Sequence, residues 1–209
     1  MDWVTISALA TAGGTLVLAI ATFASVRSAN RAARVAELSV LASLRPLLMP
    51  SRLDDVEQKV GFQNNDEWMR VAGGHGEVVV TERAVLLAIS VRNQGAGMAV
   101  LHGWRLYSGG DQPDGPPPLD RLTRLTRDIY VAAGDIGFWQ GTFRDPASDE
   151  YGAARRAIEA RQDLYVDVLY GDLEGGQRTV TRFAMRPVRD DQWLVSAGRV
   201  WNIDRPAPR

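Results

Sequence analysis

The chain has 209 residues, enough for one sizeable core with appendages, and its apolar (45%) and charged (23%) fractions are those of a folded protein rather than a disordered one. The net charge is −1, and residues 1–45 carry four arginines against Asp2 and Glu37, leaving −3 for the rest, which argues against a nucleic-acid-binding domain. There is no cysteine, so disulfides, thiolate zinc sites and cysteine nucleophiles are excluded.

Residues Trp3 to Val26 run without a charge, and Arg27, Arg31 and Arg34 follow in quick succession. Twenty-four residues at about 1.5 Å each make a helix of roughly 36 Å, sufficient for a hydrocarbon core of about 30 Å with some tilt. A secretory signal wants a positive leader and a shorter apolar tract, whereas Asp2 stands first here, so the stretch reads as a retained anchor rather than a cleaved signal or a soluble core helix. Ala8, Ala12, Thr15, Ala19 and Thr22 form a small-residue stripe; it could bring two copies together in lipid, or reflect composition alone. Cations are retained on the cytoplasmic side, so Arg27, Arg31 and Arg34 predict an N-terminus outside and the following domain inside the cell. No helix breaker occurs before Pro46, and Val35, Leu38, Leu41 and Leu44 recur at helical spacing, so the helix is expected to continue as a stalk to about residue 44.

From residue 46 the texture turns to β. The run "RPLLMP" suits a short edge strand, "GFQNNDEWMRVAGGHGE" a loop or loose hairpin, and "EVVVTERAVLLAISVRNQGAGMAVLHGWRLYS" several strands broken by Asn93-Gln94-Gly95 and Gly97. Residues 109–118, "GGDQPDGPPP", form a loop on composition. In "LDRLTRLTR", Leu119, Leu122 and Leu125 alternate with Arg121, Arg124 and Arg127, predicting a short helical turn. Its leucines would close the end of the domain; its basic side could alternatively touch anionic lipid heads. Two strands are expected around Ala133-Gly134-Asp135, a helix near 149–162 capped by Ser148 or Asp149, a hairpin around Glu174-Gly175-Gly176-Gln177, and a last strand in "WLVSAGRVWNID". About eight short strands with regular turns predict an antiparallel, immunoglobulin-like β-sandwich over 46–204, with a Pro-rich tail at 205–209.

Little in the sequence points to chemistry. His75 and His102 stand in no metal-binding spacing, and there is no G-x-S-x-G, phosphate-binding P-loop or dinucleotide fingerprint. Asp163, Asp167, Asp172 and Glu174 lie along one hairpin without converging as a cation site would require. No catalytic residue, cofactor or metal is therefore expected. Trp104 and Trp139 read as core, whereas Trp201, close to the tail, is a candidate for an exposed interaction surface together with Arg121, Arg124 and Arg127.

The stretches "TFASVRSANRAAR", "RDIYVAAGDIGFWQG", "YGDLEGGQRTVTRF" and "WNIDRP" resemble an uncharacterised family of actinobacterial single-pass membrane proteins, over nearly the whole chain. That resemblance implies no activity, catalytic residue or ligand. The segment "VRNQGAGMAVLHGWRL" is similar to the N-x-G-x-G-x-A strand–turn–strand of many immunoglobulin-like bacterial domains, which speaks to fold alone. The expectation is a membrane-tethered, non-catalytic interaction domain with a protein partner. A small-ligand or lipid-sensing domain is the alternative.

Overall fold

The computed structural model describes residues 2–62, 67–188 and 192–204, and the chain forms two compact units, Met1–Ser43 and Leu44–Arg209. The expected Pro-rich tail at 205–209 lies outside the described residues.

The first unit is one helix, α1 (Trp3–Ser43), of 41 residues. Its apolar side chains, among them Leu16, Val17, Leu18, Ile20 and Phe23, are exposed on all sides, and it is long and apolar enough to cross a membrane. Several hydroxyls in it are satisfied internally: Thr11 donates to the Ser7 carbonyl, Thr15 to Thr11 and Thr22 to Leu18, at 2.8–2.9 Å. Those bonds remove the penalty a bare hydroxyl would meet in hydrocarbon.

The second unit is mainly antiparallel β. Its strands are β1 (Leu48–Pro50), β2 (Gln58–Phe62), β3 (Glu67–Val71), β4 (His75–Val80), β5 (Val85–Asn93), β6 (Ala99–Ser108), β7 (Thr123–Val131), β8 (Ile136–Phe143), β9 (Leu164–Gly171), β10 (Arg178–Pro187) and β11 (Trp193–Asn202). Nine of them make one curled sheet, eight in the order β8-β5-β4-β11-β10-β9-β6-β7 and the ninth, β1, also paired with β5. β8 pairs with β5 over residues 85–92, so the short β1, paired at 91–93, continues the opposite edge beyond β4. The terminal strands β7 and β8 are joined directly by the turn at 132–135, so the curl brings its two edges round to one another.

Alternation sets which side chains the curl encloses. Leu87, Ile89 and Val91 of β5, Trp139 of β8, Val166, Val168 and Tyr170 of β9, and Phe183 and Met185 of β10 are fully buried in the main core. The other face of β5 is buried too, because the hairpin β2–β3 covers Leu86 and Ala88 with Val60, Phe62, Met69 and Val71. The helix α2 (Asp149–Glu159) starts at Ser148, whose hydroxyl accepts from the Tyr151 amide, and buries Tyr151, Ala154 and Ala157.

One expected element differs. Only Leu119–Arg121 is helical, as a single 3₁₀ turn, and from Thr123 the chain is strand β7, with Arg124 opposite Gly103 and Thr123 opposite Trp104. The free edge of β6 offers a ladder of backbone partners, and pairing with it outweighs the three-residue leucine spacing.

The chain enters this unit at a tightly built corner. Asn93 is fully buried, and its carboxamide makes four hydrogen bonds. Oδ1 accepts from the amides of Leu47 (3.1 Å) and Gly95 (3.0 Å), and Nδ2 donates to the carbonyls of Gly97 (2.7 Å) and Val131 (3.0 Å). Gly97 lies so close to the incoming segment that a Cβ there would stand 1.7 Å from the Leu44 carbonyl oxygen. The glycine of N-x-G-x-G is thus required by close approach of two backbones.

Candidate functional site

Trp104 of β6 sits where the two sheet edges come round. Its ring packs edge-on against Trp139 (5.3 Å) and Phe143 (5.1 Å), and Trp139 is fully buried. On either side of Trp104 lies a small cleft. One, of about 150 Å³, follows the seam between β7 and β8, with Arg124, Arg127 and Arg144 among its lining residues together with Thr123, Gln140 and Gly141. The other, of about 180 Å³, lies between β6, the 3₁₀ turn and α2, and includes Arg105, Arg121, Tyr107 and Glu150. Trp104 and Thr123 are common to both.

Three of the expected surface arginines therefore lie together. Arg127 belongs to the inward-facing set of β7 with Leu125 and Ile129; its guanidinium donates to Gln140 Oε1 (3.0 Å) and lies over the Phe138 ring (5.3 Å). Arg121 and Arg124 are exposed, and their side chains have no hydrogen-bond or ion-pair partner among the described residues. Arg105, which the sequence did not single out, donates to the Arg121 carbonyl (3.3 Å) and stacks on Tyr107.

Trp201 does not belong to this surface. It is buried, 8% exposed, and packs under the guanidinium of Arg182, 4.9 Å from its ring centroid. Arg182 in turn forms a two-pronged ion pair with the buried Asp167, 2.7 Å on each prong, and donates to the Pro113 carbonyl at 2.5 Å. Arg199 holds the Asp114 carbonyl at 2.6 Å. These bonds strap the 109–118 loop to β10 and β11 through Arg182 and Arg199. Burial pushes the Asp167 carboxyl above its ordinary value, and the facing Arg182 opposes that rise. Burial also raises the Tyr107 phenol.

Asp167 and Arg182 stand opposite one another in the β9–β10 register, two residues away from the pairing that symmetric counting from a Glu174–Gln177 turn would give, because the register closes through Arg178 opposite Gly171. Arg105 adjoins Trp104 in sequence, whereas Arg144, beyond β8, comes near it only through the curl.

The histidines stand apart. His75 Nδ1 lies 2.6 Å from the Gly73 carbonyl, and His102 occupies the bulge in β6, where partial burial and then Arg178 hold its imidazole below the usual range. Arg27, Arg31 and Arg34 are exposed on α1. Neither a protein-family model, nor a curated protein, nor a solved structure matches this chain.

Proposed function

We propose that the chain is a single-pass membrane protein whose second unit is an immunoglobulin-like β-sandwich serving as a non-catalytic interaction domain at the cytoplasmic face. The observation that carries this reading is the charge distribution along α1. An apolar helix long enough to span the bilayer is followed by Arg27, Arg31 and Arg34, while Asp2 is the charge on the other side. Support for the sandwich comes from the curled antiparallel sheet and from the Asn93 corner at the N-x-G-x-G motif. The resemblance of the quoted stretches to the actinobacterial single-pass family supports the same reading.

The partner on this reading is a protein, met through the arginine-bearing surface around Arg121 and Arg124. A photo-crosslinking residue placed at position 121 or 124 of the full chain, in native membranes, tests it. A discrete protein adduct, absent when the crosslinker stands at the exposed Arg83 instead, is expected; adducts independent of position would contradict it. The cationic clefts favour a second reading, a ligand-sensing domain, because small concave sites with a few converging polar groups are what ligands use.

A further inference from the structure

The residues lining the two clefts beside Trp104 include five arginines, Arg105 and Arg121 in one and Arg124, Arg127 and Arg144 in the other, and one acid, Glu150, with Arg105 also opposite Asp167. This happens in a stretch, residues 46–209, whose net charge is −3. Like charges gathered on one side of a domain of the opposite sign repel one another and raise the local potential, which favours an anion there. The seam cleft, taken alone, has Arg124 and Arg127 and no carboxylate among its lining residues. It also runs between β7 and β8, which are not paired with each other. A guanidinium matches the planar fork of a phosphate or carboxylate, and adjacent threonines supply hydroxyl donors.

We propose that the seam beside Trp104, between β7 and β8, binds a phosphate-bearing anion, with Arg124 and Arg127 as its cationic contacts. A cleft of about 150 Å³ admits a phosphate group but not a whole nucleotide, so the group is presented on a small molecule or a headgroup. Arg127 is held in place by Gln140 and Phe138 and is poised before any ligand arrives, whereas Arg124 closes on it from the exposed side. The inference goes beyond the interaction-domain reading and stands independently of which way α1 threads the membrane.

The full chain in phosphatidylcholine nanodiscs is titrated with inorganic phosphate at constant ionic strength, chloride replacing phosphate in the control. Tryptophan fluorescence is followed, since Trp104 lines the site. In a second arm, phosphatidic acid, whose headgroup is a phosphate monoester, replaces part of the phosphatidylcholine and no phosphate is added. A saturable change in the first arm identifies a soluble phosphate source, and a change in the second arm only identifies the headgroup. In whichever arm responds, the double variant Arg124→Ala/Arg127→Gln should weaken the response roughly tenfold or more, as loss of charge-assisted contacts implies. Arg83→Ala should leave it unchanged. If the double variant does not fold by circular dichroism, Arg124→Lys/Arg127→Lys retains the charge, loses the fork and should bind more weakly than the unaltered chain. No saturable response in either arm, or an undiminished one in the arginine variants, overturns the proposal.

Discussion

Asp167 and Arg182 face each other directly across the β9–β10 hairpin, joined at 2.7 Å on both prongs, with the carboxylate fully buried and the guanidinium nearly so. The guanidinium lies over Trp201 and Tyr107, and its third nitrogen holds the 109–118 loop through Pro113. A single pair thus ties hairpin, tryptophan and loop together.

Removing one partner leaves a buried charge uncompensated. Arg182→Met should destabilise the domain by about 3–5 kcal/mol, whereas Arg182→Met with Asp167→Leu should cost much less, because a buried pair exchanged for apolar side chains is often neutral. Chemical denaturation of the two variants measures the difference. Equal losses would show that the ion pair has no special role.

Asn93 is the second place where one side chain holds several elements. Asn93→Ala leaves two amides and two carbonyls short of a partner, a loss on the order of 3 kcal/mol when unsatisfied buried groups each cost about 1–3 kcal/mol. Asn93→Asp keeps the shape but turns an acceptor towards the Gly97 and Val131 carbonyls. Its carboxyl, buried beside them, would titrate higher folded than unfolded. The variant should therefore be most destabilised at neutral pH and recover as the pH falls towards the unfolded value, where the protonated acid donates again. Thermal unfolding from pH 4 to 8 checks this; a penalty independent of pH would contradict it.

At the β9–β10 turn the two glycines are unequal. Gly175 has φ +74°, while Gly176 has no such angle and room for a Cβ, its nearest neighbour being Asp172 Oδ2 at 3.7 Å. Gly175→Ala should cost about 1 kcal/mol and Gly176→Ala close to nothing. Denaturant midpoints of the single variants separate them, and equal effects would place the strained position elsewhere.

The strands that were legible in the sequence are those where alternation and turn residues agree, as in the β9–β10 hairpin and in β5 up to Asn93. Of the two caps the sequence offered for α2, Ser148 and Asp149, it is Ser148 that caps the helix. The segment from Leu122 was not legible, because leucine and arginine every third residue mimic a helical turn, and only the unpaired edge of β6 converts it to strand. Trp201 was misplaced because it stands close to the Pro-rich tail in sequence; Arg182, whose guanidinium lies over its ring, is distant along the chain. The seam cleft beside Trp104 was invisible for the same reason: β6–β7 pairing brings Arg124 beside Trp104, and Arg144 joins it only once the sheet has curled.

The orientation of α1 tests the account most directly. Parallel fusions of green fluorescent protein and alkaline phosphatase to the C-terminus of the full chain report on which side of the membrane the β unit lies. Fluorescence with an inactive phosphatase is the predicted result, and replacing Arg27, Arg31 and Arg34 together should weaken that bias, since those charges set it. An active phosphatase with a dark fluorescent fusion would contradict the cytoplasmic placement and the interaction role built on it.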